Sequence, residues 1–178
     1  MILSLVGMPG SGKTTVGRQL ARRLQLPFTD SDQVIEARLG CSIRHYFERE
    51  DEQRFRDLET QVIDELTRAP RRGVLSTGGG CVLRPENRRL LRARGWVIYL
   101  DSSPEELHRR LRHDHSRPLL QVADPLARLR ELHAVRDPLY REAAHFSVET
   151  GRPSVTMLVS RIVMQLELDG MVQPPDSR

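Results

Sequence analysis

Gly7-Met8-Pro9-Gly10-Ser11-Gly12-Lys13-Thr14 fits the pattern G-x-x-x-x-G-K-[ST] at every fixed position. Ahead of it, the apolar run Ile2-Leu3-Ser4-Leu5-Val6 reads as a short buried strand. Behind it, Val16, Leu20, Ala21 and Leu24 recur at helical spacing and predict a helix from Lys13 to about Leu24. A strand that turns sharply into a helix aims successive backbone N–H groups at one point, and the helix N-terminus adds its dipole, so such a turn binds phosphate. The candidate nucleotide contacts are therefore Gly10, Ser11, Gly12, Lys13, Thr14 and Thr15. Lys13 is placed to reach the β- and γ-phosphates of ATP, and the Thr14 hydroxyl to ligate Mg2+. Of the 28 basic residues, 27 are arginine and Lys13 is the single lysine. A compact, flexible ammonium reaches between phosphates where arginine's planar fork is no equivalent.

Working outward, strand and helix signals alternate through 178 residues, about one domain's worth of chain. Pro27-Phe28-Thr29 reads as a second strand, followed by an acidic turn and a helix through Ile35 to Leu39 that Gly40 closes. From about Glu50 to Arg68, Phe55, Leu58, Val62, Ile63 and Leu66 trace a helical stripe. Gly73–Ser76 and Trp96–Leu100 are further strands, with a helix from about Pro85 to Ala93 between them. Ser103-Pro104 opens a helix with serine as N-cap and proline at the first position. A helix from about Pro125 to Ala143, a strand near Phe146–Val148 and a helix from about Pro153 to Leu168 follow. Short strands separated by helices predict an α/β fold, a parallel sheet with helices on both faces. The polar, basic stretch 112–124 is long for a connection and reads as a mobile flap. The domain is expected over 1–170, with 171–178 as a frayed tail.

Composition removes several classes of function. With 38% hydrophobic and 29% charged residues the chain is globular, and no apolar run is long enough to cross a membrane. The apolar opening Met1–Val6 is too short for a secretory leader. Cys41 and Cys81 stand forty residues apart without a C-x-x-C, which excludes a zinc site and suits reduced thiols in the cytoplasm. The net charge of +4 comes from dispersed basic residues, and one Trp, three Tyr and four Phe give little to stack on bases, so nucleic acid is not the expected partner. His45, His113, His115 and His145 have no ligand spacing with carboxylates or cysteines. No unburied apolar stripe stands out, so a monomer is expected.

The remaining candidates lie where an acceptor for phosphate would sit. Asp30-Ser31-Asp32 ends the second strand, and in extended chain carboxylates at i and i+2 point the same way. One carboxylate then serves Mg2+ and the other takes a proton from an acceptor hydroxyl, or the pair is an ordinary helix cap. Glu59 interrupts the apolar stripe between Leu58 and Val62, and a carboxylate on a buried face needs a partner, which Arg56 at i−3 supplies. The pair then grips an anion through Arg56, or is a routine surface ion pair. Thr77-Gly78-Gly79-Gly80 exposes backbone N–H groups beside the third strand, where Ser76 stands in reach of a metal-bound water.

Taken in order, G-M-P-G-S-G-K-T, D-S-D, F-R-D-L-E at Phe55–Glu59, G-G-G, R-P-L-L at Arg117–Leu120 and R-D-P-L-Y at Arg136–Tyr140 resemble the shikimate kinase family over nearly the whole chain. The resemblance implies a three-layer P-loop kinase fold with five parallel strands in the order 2-3-1-4-5. It also implies a substrate-binding subdomain at about 31–60 and a lid at about 112–124. Asp30 would join Thr14 at the Mg2+, and Asp32 would bind the shikimate hydroxyls and act as base. Arg56 and Arg136 would clamp the shikimate carboxylate together with the backbone of Gly78, Gly79 and Gly80. Arg117 would close over the ATP phosphates, and Arg110 with Arg152-Pro153 would flank the adenine. The chain departs from the family pattern at Ser42–Phe47 and at Asp51-Glu52, where Gly-Glu is usual, while Phe47 and Phe55 are kept. A gluconate kinase of the same fold is the alternative enzyme, since gluconate is also a polyhydroxy carboxylate. A nucleotide-binding regulatory module without turnover is the alternative from another class.

Overall fold

Alternation along the central strand divides its side chains between two cores. The computed structural model describes residues 1–68, 70–115 and 121–173. In it, β1 (Ile2–Val6) is buried throughout and pairs in parallel on both sides. Ile2 and Val6 join one core and Leu3 and Leu5 the other, as period two requires. In β4 (Gly95–Asp101) the same split sends Val97 and Tyr99 one way and Ile98 and Leu100 the other. With β2 (Phe28–Asp30), β3 (Gly73–Ser76) and β5 (Phe146–Glu149) these make a five-stranded, all-parallel sheet in the order β2-β3-β1-β4-β5. The expected α/β fold and strand order are both present.

On one face lie α1 (Lys13–Leu24) and α8 (Val155–Leu168), which bury Val16, Leu20, Leu158 and Ile162 against Leu3 and Leu5. On the other lie α4 (Glu52–Thr67), α5 (Pro85–Arg94) and α7 (Pro125–Ala143), contributing Val62, Ile63, Leu91, Leu129 and Tyr140. α2 (Ser31–Leu39), α3 (Ile43–Arg49) and α6 (Pro104–Leu111) fill the links between strands. Because all five strands run the same way, the loops that follow β1, β2 and β3 open at one edge of the sheet, where α/β proteins bind ligands.

Several expectations need correction. α3 carries no buried residue, so it left no apolar stripe to read; Ser42 starts it by accepting the His45 N–H at 3.1 Å. β2 begins at Phe28 and runs through Asp30 rather than starting at Pro27. α4 starts at Glu52 rather than Glu50 because Asp51 is its N-cap, accepting the Arg54 N–H at 2.9 Å, a contact that stabilises a helix by ~1 kcal/mol. Met171 and Val172, assigned to a frayed tail, fold back on the end of α8 through N–H bonds to the Leu166 carbonyl and pack against the core. An exposed apolar stripe does exist: Met157, Met164 and Leu168 lie outward on α8, whose opposite side is buried. Of the expected flap, 116–120 fall outside the described residues, as do 174–178 of the tail.

Candidate active site

The turn after β1 is shaped by glycine. Gly10 and Gly12 have φ of +83° and +95°, a region that side chains disfavour. Gly12 is also the N-cap of α1 and brings no side chain to cap it, so the first N–H groups of the helix remain available to an anion. Lys13 lies along the loop with Nζ donating to the carbonyls of Gly7 at 2.8 Å and Met8 at 2.9 Å. Ser11 Oγ is buried inside the turn without a hydrogen-bond partner, a hydroxyl suited to a phosphate oxygen. Thr15 faces solvent on the first turn of α1.

Thr14 Oγ1 donates to Asp30 Oδ2 at 3.0 Å, joining the loop to the end of β2. The other oxygen of Asp30 accepts the N–H groups of Asp32 at 2.9 Å and Gln33 at 3.3 Å. Asp30 is thus the N-cap of α2, as one of the two readings of the pair expected, and its second oxygen accepts from Thr14. The hydroxyl and carboxylate form an oxygen-only set that suits a hard cation such as Mg2+. Asp32 is not in extended chain as expected, because α2 begins at Ser31 and places Asp32 in its first turn.

Arg110 ties the loop to the far end of the site. It donates to the carbonyls of Gly10 and Thr150, both at 3.2 Å, and pairs with Glu106 at 2.5 Å. Thr150, which precedes the Arg152-Pro153 turn, donates its hydroxyl to Glu106 at 2.9 Å. Glu106 is buried and was missed in the sequence, where only its i,i+4 spacing to Arg110 hinted at a role. Arg117 and the rest of R-P-L-L fall outside the described residues.

The acceptor side is assembled from four separate segments. Burial and the neighbouring carboxylates of Glu59 and Asp30 push Asp32 up to about 6, against the opposing pull of Lys13. Glu59 is 1% exposed and accepts from Arg56 Nη1 at 2.8 Å, while Arg56 is 9% exposed and also meets Glu52 at 3.3 Å. Burial raises Glu59 as well, with the Arg56, Arg136 and Arg84 charges opposing. Arg56 and Glu59 are therefore a buried pair, not a surface one. The three glycines make room for these groups. A Cβ on Gly78 would stand 2.6 Å from Asp32 Oδ1 and 3.2 Å from Glu59 Oε2; one on Gly79 would stand 2.8 Å from Pro9 Cδ; one on Gly80 would strike the Arg56 guanidinium. The triglycine is thus packed against both halves of the site and is no idle turn. Ser76 is buried at the end of β3, in register with Asp30.

Arg136 reaches the same place from α7. It is 5% exposed, and no carboxylate lies within ion-pair distance of it among the described residues. A buried cation with no carboxylate in direct contact is costly, and an incoming carboxylate relieves that cost. Tyr140, one helical turn on, was quoted in the sequence motif without a role; its hydroxyl donates to the Gly79 carbonyl at 2.6 Å. Phe47 and Phe55 meet at 4.8 Å, and the Arg56 guanidinium lies 5.2 Å from the Phe55 ring centre. Of the histidines, His145 is structural: its Nδ1 accepts the Val97 N–H at 2.9 Å and its ring stacks on Trp96.

The geometry therefore joins a phosphate loop, an oxygen pair for a cation, a buried carboxylate and two buried arginines at one sheet edge. The family profile described as Shikimate kinase matches residues 9–167. The shikimate kinase of Ralstonia nicotianae is 62% identical over 171 residues, covering 96% of this chain and 89% of its own. That of Paracidovorax citrulli is 62% identical over 177 residues, covering 97% and 95%. Among solved structures, a shikimate kinase from Acinetobacter baumannii in complex with shikimate superposes with a TM-score of 0.89 at 45% identity, covering 97% of this chain and 95% of that one. Phosphate loop, carboxylates, triglycine and arginines occur in one order on one fold, and with identity of this extent the chain belongs to the shikimate kinase family.

Proposed function

We propose that this chain transfers the γ-phosphoryl group of ATP to the 3-hydroxyl of shikimate, giving shikimate 3-phosphate and ADP, a step in aromatic amino-acid biosynthesis. The observation that carries the assignment is Arg136, a buried arginine in no ion pair among the described residues, within the electrostatic reach of Glu59. Two guanidiniums and the N–H groups of Gly78, Gly79 and Gly80 hold the acceptor's carboxylate. That grip fixes the ring and leaves its far hydroxyls toward Asp32 and the phosphate loop. Asp32, raised toward neutrality yet ionised above about 6, accepts the proton of the attacking hydroxyl. Lys13 leaves its loop carbonyls to follow the charge that gathers on the γ-phosphoryl oxygens. Thr14 and Asp30, with Ser76 in register beside them, would hold a Mg2+ ion, which when bound would supply neutralisation of the phosphate charge.

Arg110 and the Arg152-Pro153 turn flank the adenine, and Arg117 covers the phosphates; the Arg117 role rests on the family resemblance alone. Residues 31–60 act as the substrate-binding subdomain and 112–124 as the lid. The free thiols of Cys41 and Cys81 suit the cytoplasm. Among the described residues no helix is long and apolar enough to cross a membrane.

The test is ADP release from MgATP with shikimate, with gluconate and with no acceptor. Release that depends on shikimate alone is the expected result. Release only with gluconate would keep the phosphate chemistry and discard the acceptor assignment, and ATP binding without acceptor-dependent turnover would favour the regulatory module.

A further inference from the structure

The triglycine after β3 has an unusual division of its polar groups. The Gly78 carbonyl accepts the Cys81 N–H and the Gly80 carbonyl accepts the Leu83 N–H, both at 3.1 Å, in the single 3-10 turn Cys81–Leu83. Neither local bond reaches the Gly79 carbonyl. That oxygen is taken from outside the loop, by the Tyr140 hydroxyl at 2.6 Å. All three carbonyls are thus engaged, whereas the N–H groups of Gly78, Gly79 and Gly80 find no acceptor among the described residues. A backbone segment that offers donors only is an anion nest. One carbonyl turned back toward the ligand would undo it, since a carbonyl oxygen repels a carboxylate.

We propose that Tyr140 is a positioning residue for the acceptor's carboxylate: by holding the Gly79 carbonyl away, it keeps the triglycine a surface of donors beside Arg56 and Arg136. The inference rests on the assignment of shikimate as acceptor and deepens it. Tyr140 is built for such a task. Its ring is fully buried and stacks on Tyr99 at 5.0 Å, and the Tyr99 hydroxyl is in turn fixed by donation to Asp137 at 2.7 Å. Burial holds the Tyr140 phenol well above its ordinary range, so its oxygen keeps the proton it donates. Glycine has no side chain to resist a peptide flip, so without the hydroxyl nothing local restrains the Gly79 carbonyl.

The test compares Tyr140→Phe with the wild-type chain on two acceptors, shikimate and its neutral methyl ester. Phenylalanine keeps the stack on Tyr99 and removes the hydroxyl, with its bond to Gly79 and its contact with the Arg136 guanidinium. The KM for shikimate should rise about tenfold, the scale of one lost hydrogen bond to a buried polar group, while kcat and the KM for ATP hold. The KM for the ester should change much less, so the preference for acid over ester collapses. A merely structural loss would raise both acceptors' KM together, and that outcome overturns the proposal, as does an unchanged preference. Tyr99→Phe is the second variant: it loosens the support under Tyr140 but leaves the Gly79 bond, and it should keep the preference; an equal collapse there would assign the effect to packing. The two readings fail differently. A wild-type chain idle with shikimate overturns the acceptor assignment and this role with it, whereas an active wild type whose preference survives Tyr140→Phe overturns only the tyrosine.

Discussion

The phosphate side and the acceptor side of this site are built in opposite ways. The centre of the phosphate side is one uninterrupted stretch, Gly7 to Thr14, and most of its chemistry is backbone: N–H groups aimed by two glycines at positive φ, with Lys13 folded along its own loop. The acceptor side draws Asp32 from α2, Arg56 and Glu59 from α4, three glycines from the turn after β3, and Arg136 and Tyr140 from α7. Its chemistry is side chains buried at a cost. Glu59, Arg56 and Arg136 are all nearly inaccessible, and each is tolerable only with a counter-charge or a ligand to supply one. A local site can be specified by a motif, while a dispersed one is specified by the fold that brings its parts together.

If that contrast is sound, single substitutions should separate the two sides. Lys13→Ala is the largest expected effect. It removes a cation that follows charge into the transition state, so kcat should fall by about a thousandfold or more, the scale of losing one preorganised donor. Because the glycines fix the loop, the thermal unfolding temperature should move little, and retained turnover would break the phosphate assignment. Arg136→Ala comes next and should act on the acceptor alone. Losing one buried charged partner of the carboxylate should weaken shikimate binding by about 2–5 kcal/mol in calorimetry, with ATP binding held. Equal weakening of both ligands would show that the two sides are not separable at α7.

The same contrast explains what the sequence revealed. The sheet was legible because Ile2–Val6, Gly73–Ser76 and Trp96–Leu100 are short apolar runs bounded by glycine or acidic residues, and strand order followed from the family resemblance. The phosphate loop was legible because its residues are neighbours. On the acceptor side, Glu59 betrayed itself by standing on a buried helix face, and its pairing with Arg56 needed only i,i+3 spacing. Arg136 carried no such mark, since its meaning lies in the charge of Glu59 on α4, far away in sequence; the R-D-P-L-Y resemblance found it. Tyr140 and Glu106 went unassigned because one acts on a backbone carbonyl and the other on Arg110 and Thr150, partners that no periodicity names. α3 escaped because a helix with no buried residue has no stripe.

The smallest expected effect sharpens the comparison from the phosphate side, at a contact that is not local. Arg110 crosses from α6 to the Gly10 carbonyl and to Thr150, a bridge of side chain to backbone like those of the acceptor side. Yet its guanidinium is 38% exposed, and water can replace much of what it donates. Arg110→Ala should therefore raise the KM for ATP only severalfold, on the scale of about 1 kcal/mol for a solvent-accessible hydrogen-bonded group, and leave the KM for shikimate as it was. Its partner Glu106 is buried and would lose its cation, keeping only the Thr150 hydroxyl, so part of that effect should appear as lowered stability rather than weaker binding. Arg110→Lys, which retains the charge near Glu106 but not the fork between Gly10 and Thr150, should recover the unfolding temperature and not the KM. Recovery of both would mean that charge alone matters there, and that even the distant end of the phosphate side is held by the loop itself.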